Sequence, residues 1–195
     1  MWDERYSSED YVYGTKPNEF LASVADRIPK GRVLCMAEGE GRNGVFLAEQ
    51  GYQVTAVDSS RVGMEKARRL ARQRKVEIET IVSDLAHFEI TENSWDGIVS
   101  IFCHVPPAIR KPLHRKVVAG LKSGGVLVLE AYRPKQLEYG TGGPPVAELT
   151  MTLEGLKQEL DGLEFRHGAE IDRDVTEGLY HTGVGAVVQV IAVKP

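Results

Sequence analysis

The chain has 195 residues, 42% of them hydrophobic and 27% charged, with a formal net charge of -4. This is the length and balance of one globular domain with its own core. A net acidic chain lacks the basic surplus that holds a phosphate backbone, so nucleic acid is not expected as a partner.

The start, Met1-Trp2-Asp3-Glu4-Arg5, has neither the basic residues nor the apolar stretch of a signal peptide, and no uncharged run reaches the roughly 20 residues of a membrane helix. Cys35 and Cys103 sit singly in apolar runs, not in the paired spacing of a zinc site or a disulfide framework. A cytoplasmic protein with reduced thiols, no metal and no membrane contact is expected.

Residues 1–30 read as a cap segment, not a domain: they hold Trp2, Tyr6, Tyr11, Tyr13 and Phe20, then an amphipathic helix predicted from Asn18 to Ile28. A first strand is predicted over Arg32 to Ala37. A glycine-rich turn, a helix from Gly44 to Gln50 and a second strand from Gln53 to Val57, ending at Asp58, complete one βαβ unit. Ser59 or Ser60 caps the next helix, which runs to about Arg74; its Lys66, Arg68, Arg69, Arg72, Arg74 and neighbouring Lys75 read as a solvated face favoured by the helix dipole. Strands over Glu77 to Val82 and Trp95 to Phe102 follow, ending at Ser83-Asp84-Leu85 and at Cys103-His104. Pro106 and Pro107 open a helix to Leu121, Gly124-Gly125 makes a turn, and Val126 to Ala131 is a fifth strand. Thr152 caps a helix to about Leu160, and Leu163 to Val175 with Gly183 to Lys194 form an antiparallel terminal pair. The alternation predicts a single α/β domain over 1–195, with seven strands in a largely parallel sheet; monomer and homodimer are both compatible with the sequence.

The stretch Val33-Leu34-Cys35-Met36-Ala37-Glu38-Gly39-Glu40-Gly41-Arg42-Asn43-Gly44 turns a buried strand into a helix through glycines that let a ligand approach the backbone. Asp58, roughly 20 residues on, is placed to accept from both ribose hydroxyls of a nucleotide-like cofactor. Gly39-x-Gly41-x-x-Gly44 also matches a dinucleotide fingerprint, so an NAD(P)-dependent oxidoreductase is an alternative. Charge separates the two. Pyrophosphate is anionic, whereas S-adenosylmethionine brings a sulfonium and an ammonium, and Glu38 and Glu40 beside the first glycine favour the cation.

Gly39-Glu40-Gly41-Arg42-Asn43-Gly44-Val45-Phe46-Leu47-Ala48, followed by Gly51-Tyr52-x-Val54-x-Ala56-x-Asp58, resembles the class I S-adenosylmethionine-dependent methyltransferases. Within them it is similar to the branch of tellurite-resistance and thiopurine methyltransferases. Trp2-Asp3-x-Arg5-Tyr6, Tyr13-Gly14-x-x-Pro17 and Leu121-Lys122-x-Gly124-Gly125 extend the resemblance over nearly the whole chain. It implies a Rossmann-like three-layer sandwich with an antiparallel C-terminal strand, S-adenosyl-L-methionine as cofactor and methyl transfer to a small molecule. Gly39 and Gly41 would contact the methionine part, Asp58 the ribose, and Asp84 with Leu85 the adenine, with Phe102 and Cys103 along the other side. Asn43 and Ser59 complete the candidate cofactor-binding set. The chain departs from relatives that begin this strand with Val-Leu-Asp and follow it with Gly-Cys-Gly: Cys35 replaces the acid and Ala37-Glu38-Gly39 the latter, so the role of Glu38 is read from charge.

Trp2, Tyr6, Tyr11 and Tyr13 pack the cap as core or close over the sulfonium, whose charge favours aromatic faces; Tyr13 is the functional candidate. Glu138 to Pro145 combines glycines with prolines as a substrate lid or a connecting loop. A thiol, chalcogen oxyanion or purine thiol is already nucleophilic and needs no catalytic residue. A hydroxyl or amine acceptor would make His104 or Tyr139 the proton acceptor, although a histidine at that strand end equally serves to bond a loop carbonyl. A non-catalytic domain that senses S-adenosylmethionine for a partner is the remaining alternative.

Overall fold

The computed structural model describes residues 2–178 and 181–195. Its strands are β1 (Arg32–Met36), β2 (Gln53–Asp58), β3 (Glu79–Val82), β4 (Trp95–Ile101), β5 (Leu121–Tyr132), β6 (Glu164–Glu177) and β7 (His181–Val193), in one sheet of order β3-β2-β1-β4-β5-β7-β6. β1 to β5 pair in parallel, and β7 runs antiparallel to both β5 and β6. The order reverses between β1 and β4, the point at which open α/β sheets leave a crevice at their carboxyl ends.

Alternation along the strands makes the two cores. Val33 and Cys35 of β1 face Phe20, Leu21, Leu47 and Tyr52; Leu34 and Met36 face Leu113, Val117 and Leu156. The first face is covered by α2 (Glu19–Val24), α3 (Arg42–Glu49) and α4 (Arg61–Gln73), the second by α5 (Pro107–Gly120) and α6 (Leu153–Glu159). Three side-chain caps fix helix starts, two at residues the sequence suggested and a third at Asn18: Ser60 Oγ accepts from Gly63 N, Thr152 Oγ1 from Gly155 N and Asn18 Oδ1 from Leu21 N.

Several boundaries move. The predicted 18–28 helix is α2 followed by a 3-10 turn over Ala25–Arg27, and β3 starts at Glu79. Gly124-Gly125 is not a free turn but an irregularity inside β5: the register shifts between Trp95 and Gly97, and Gly124 N donates to Lys194 O at 2.7 Å. A glycine pair fits there because Gly124 has φ +78.

The segment before α2 carries a short helix, α1 (Trp2–Arg5), and is held against α4. Asp3 Oδ1 accepts from Ser60 Oγ and Val62 N, and Lys66 Nζ reaches Tyr6 O, Asp10 O and Glu40 Oε1 at 3.2, 2.7 and 2.5 Å. Lys66 therefore departs from the solvated face read from its helix: it is buried, with its ammonium satisfied by the cap.

Candidate functional site

The ends of β1, β2 and β4, the cap and the loop after β5 enclose a cavity of about 670 Å3, within the range of small-molecule sites (about 300–1,000 Å3). Two backbone positions show how tightly it is built. Ala37 after β1 and Phe102 after β4 both take positive φ, +50 and +51, conformations that non-glycine residues adopt only where surroundings enforce them. Gly39 follows with φ +62, and Tyr6 lies so close that a Cβ at Gly39 would sit 2.7 Å from its hydroxyl.

Glu38 bends back onto the start of α3, where Oε1 accepts from Asn43 N at 3.0 Å and Gly44 N at 2.6 Å. Burial raises its carboxyl to about 7, against those amides and the Arg42 charge. Glu40 is equally buried but paired with Lys66 at 2.5 Å. The two acids thus act differently from free charges beside the loop. Glu40 is neutralised, and Glu38 occupies the amides that a Rossmann helix offers to pyrophosphate. The exclusion of a dinucleotide rests on that occupied helix start.

Asp58 is buried at the end of β2, with Oδ2 accepting from Gly39 N at 2.9 Å and Oδ1 from Ser60 N at 2.8 Å. Its carboxyl is raised by burial, opposed by these amides. Each oxygen keeps a further lone pair for a ribose hydroxyl. Asp84 is an exposed acid whose Oδ1 accepts from Ala86 N, and Leu85 is buried beside it. Cys103 is a buried thiol pushed up to about 12 by desolvation, which makes it a wall and not a nucleophile.

Glu38, Gly39, Asn43, Asp58, Ser59, Asp84, Leu85, Phe102, Cys103, Tyr13 and His104 all line the cavity. Gly41 does not. It makes the turn into α3 with φ +93 and lets Ala67 of α4 approach, 2.6 Å from where its Cβ would be. Tyr139 also lies outside, on the far side of the 3-10 turn Pro134–Glu138, donating to Asp172 Oδ2 at 2.8 Å. Tyr11 packs on α4, its hydroxyl donating to Lys66 O.

His104 has both ring nitrogens engaged by backbone: Nδ1 donates to Leu149 O at 2.9 Å and Nε2 accepts from Tyr132 N at 3.3 Å. A carbonyl only accepts and an amide only donates, so the ring is held as the neutral Nδ1-protonated tautomer. The loop-bonding role of this residue is the one its geometry displays. Tyr13 presents its hydroxyl to Arg5 Nη1 at 3.2 Å and its ring edge to Tyr6.

Sequence reasoning passed over Arg5, Arg42 and Tyr132 as lining residues in their own right. Tyr132 ends β5, and its ring stacks on Phe102 at 4.6 Å and on His104 at 5.7 Å. Its place at a strand's carboxyl end was the available signal. For Arg42 the signal was adjacency to the glycine bend.

Residues 33–125 match the family model described as a methyltransferase domain. Among curated proteins, the chain is 29% identical over 152 residues to the tRNA (uracil(54)-C(5))-methyltransferase of Pyrococcus horikoshii, covering 69% of this chain and 35% of that one. The chain thus spans about a third of that relative's length. A protein described for conversion of a disulfide bond into a thioacetal group during echinomycin biosynthesis superposes with TM-score 0.80 at 16% identity, over 99% of this chain and 90% of the other. TehB from Haemophilus influenzae superposes with TM-score 0.76 at 18% identity, over 100% and 66%. At such identities the superpositions speak for the fold.

The sheet order and the glycine bend with its downstream acid agree with the family-model match, which identifies residues 33–125 as a methyltransferase domain. The cofactor of such domains is S-adenosylmethionine, and the cavity fits it: a buried acid, Asp58, for the ribose and an aromatic cap for the sulfonium.

Proposed function

We propose that the protein is an enzyme that methylates a small, flat, already nucleophilic acceptor such as a purine-like thiol. The observation that carries this reading is the wall of Phe102 and His104, part-exposed and backed by the buried ring of Tyr132, three rings at interplanar angles of 16 to 26°, on a cavity also lined by Tyr13, Pro144 and Leu149. Rings prefer to stack on planar partners. A bare chalcogen oxyanion would use little of such a surface, and a nucleic acid would meet a chain of net charge -4.

S-adenosylmethionine, when bound, supplies an electrophilic methyl on a sulfonium. The chain's own task is then to hold donor and acceptor in line and exclude water. Asp58 orients the ribose, Glu38 denies the α3 amides to a pyrophosphate, the cap rings favour a positive ligand, and the residues 143–145 close the acceptor side. His104, bonded through both nitrogens, contributes position and not proton transfer, which suits an acceptor that arrives as an anion.

Purified protein should be incubated with S-adenosylmethionine and purine thiols, aromatic and aliphatic thiols, selenite, tellurite, and an unmodified tRNA transcript. Methylated purine or aromatic thiol is expected, with activity lost in Asp58→Ala together with S-adenosylhomocysteine binding. Methyl incorporation into tRNA alone would overturn the acceptor. Tight cofactor binding without transfer to any of them would favour the sensor.

A further inference from the structure

Arg42 opens α3 directly after the glycine bend and lines the cavity, yet its side chain is only 9% exposed. Nη2 donates to Glu177 Oε2 at 2.6 Å, while Nη1 is buried and has no hydrogen-bond partner among the described residues. A charged N–H left unpaired in the interior carries a desolvation penalty that native structures avoid, so such a group points to a ligand oxygen.

The neighbouring acceptors are committed elsewhere. Glu177 Oε1 accepts from Asn18 Nδ2, and Glu130 accepts from Asn18, Arg173 and Gln189. Asn43 Oδ1 accepts from Asn18 N, Glu38 holds two amides, and Glu40 holds Lys66. The other arginine on the cavity, Arg5, is exposed, donates to the Tyr13 hydroxyl and lies over the Trp2 ring. A buried guanidinium acts through a lower dielectric than an exposed one and is the stronger anion site.

S-adenosylmethionine has one anionic group, the carboxylate of its methionine part. We propose that Arg42 binds this carboxylate through Nη1, with Glu177 fixing the plane of the guanidinium through Nη2. The pair then ties cofactor recognition to the end of β6, where Glu177 sits. This inference rests on S-adenosylmethionine as the cofactor.

Calorimetric titration with S-adenosylmethionine and decarboxylated S-adenosylmethionine, which differ in that one group, tests it. The wild type is expected to bind the complete cofactor about 10- to 100-fold more tightly. Arg42→Gln combined with Glu177→Gln leaves no buried charge stranded. It should bring the ratio to within about threefold by weakening the complete cofactor alone. Arg42→Lys, which keeps a cation for Glu177, should lower the ratio as well and serves if the double variant does not fold. Arg5→Gln should leave it unchanged. A wild type without the preference, a ratio that survives the Arg42 changes, or one lost in Arg5→Gln instead overturns the assignment. If the wild type binds neither ligand, the cofactor itself is wrong and the assignment falls with it.

Discussion

Replacing Glu38 by glutamine separates its two roles, because a glutamine Oε1 still accepts from Asn43 N and Gly44 N while the ionisation is removed. Burial raises the folded carboxyl from 4.5 to about 7. For an acid, a raised value means that the folded state binds more protons than the unfolded state between those limits. Stability from this group is therefore full below about pH 4.5 and falls as pH rises to about 7. The displacement amounts to about 3 kcal/mol at neutral pH, or about 6–12 °C in Tm for a domain of this size. Thermal melts of both proteins at pH 5, 6, 7 and 8 should show Glu38→Gln gaining on the wild type across that span, with the difference level above pH 8. A difference that stays constant with pH would refute the buried, raised carboxylate. Loss of stability at every pH would mean instead that the amide group of glutamine does not fit the bend.

Two further substitutions probe the frame around the cavity. Gly39→Ala imposes a side chain at φ +62 and drives into the Tyr6 hydroxyl; it should lose about 1–2 kcal/mol to the backbone alone and weaken S-adenosylhomocysteine at least tenfold, measured by melting and calorimetry, and normal affinity would show that Tyr6 does not cover the bend. Lys66→Met strands the Glu40 carboxylate, whose side chain is 2% exposed; it should lose about 3–5 kcal/mol in urea unfolding, and Lys66→Met with Glu40→Gln should recover most of it.

The fold was legible because each strand is a compact apolar run whose alternate residues serve opposite cores, and because glycine, proline or a capping side chain stands at nearly every boundary. The cavity floor was legible for a related reason: Gly39, Asp58, Asp84 and Phe102 occupy strand ends, where position alone predicts function. What escaped depended on contacts distant in sequence. Lys66 lies in a basic helical run that periodicity assigns to solvent, but its partners, Glu40 and two cap carbonyls, come from segments 26 to 60 residues away. Tyr139 was placed by its loop's composition, and the fold turns it toward Asp172 instead. The charges of Glu38 and Glu40 were visible, whereas the amides and the ammonium that absorb them were not.

Those absorbed charges explain how one glycine pattern serves different cofactors. A helix start after a parallel strand presents unpaired amides and a positive dipole, which suits a phosphate by default. Here the residue before Gly39 turns its carboxyl onto the same amides, so the place a pyrophosphate would take is already filled from within the chain. With those amides filled, the carboxylate of such a ligand needs another donor, the part proposed above for Arg42 on its Glu177 partner. The cap belongs to the same design: Asp3 on Ser60 and Lys66 on Glu40 fasten it to α4, which keeps Tyr6 over Gly39 before any ligand arrives. Binding therefore requires little reordering of the residues 2–14, and selection between a sulfonium and a pyrophosphate is built into the folded chain.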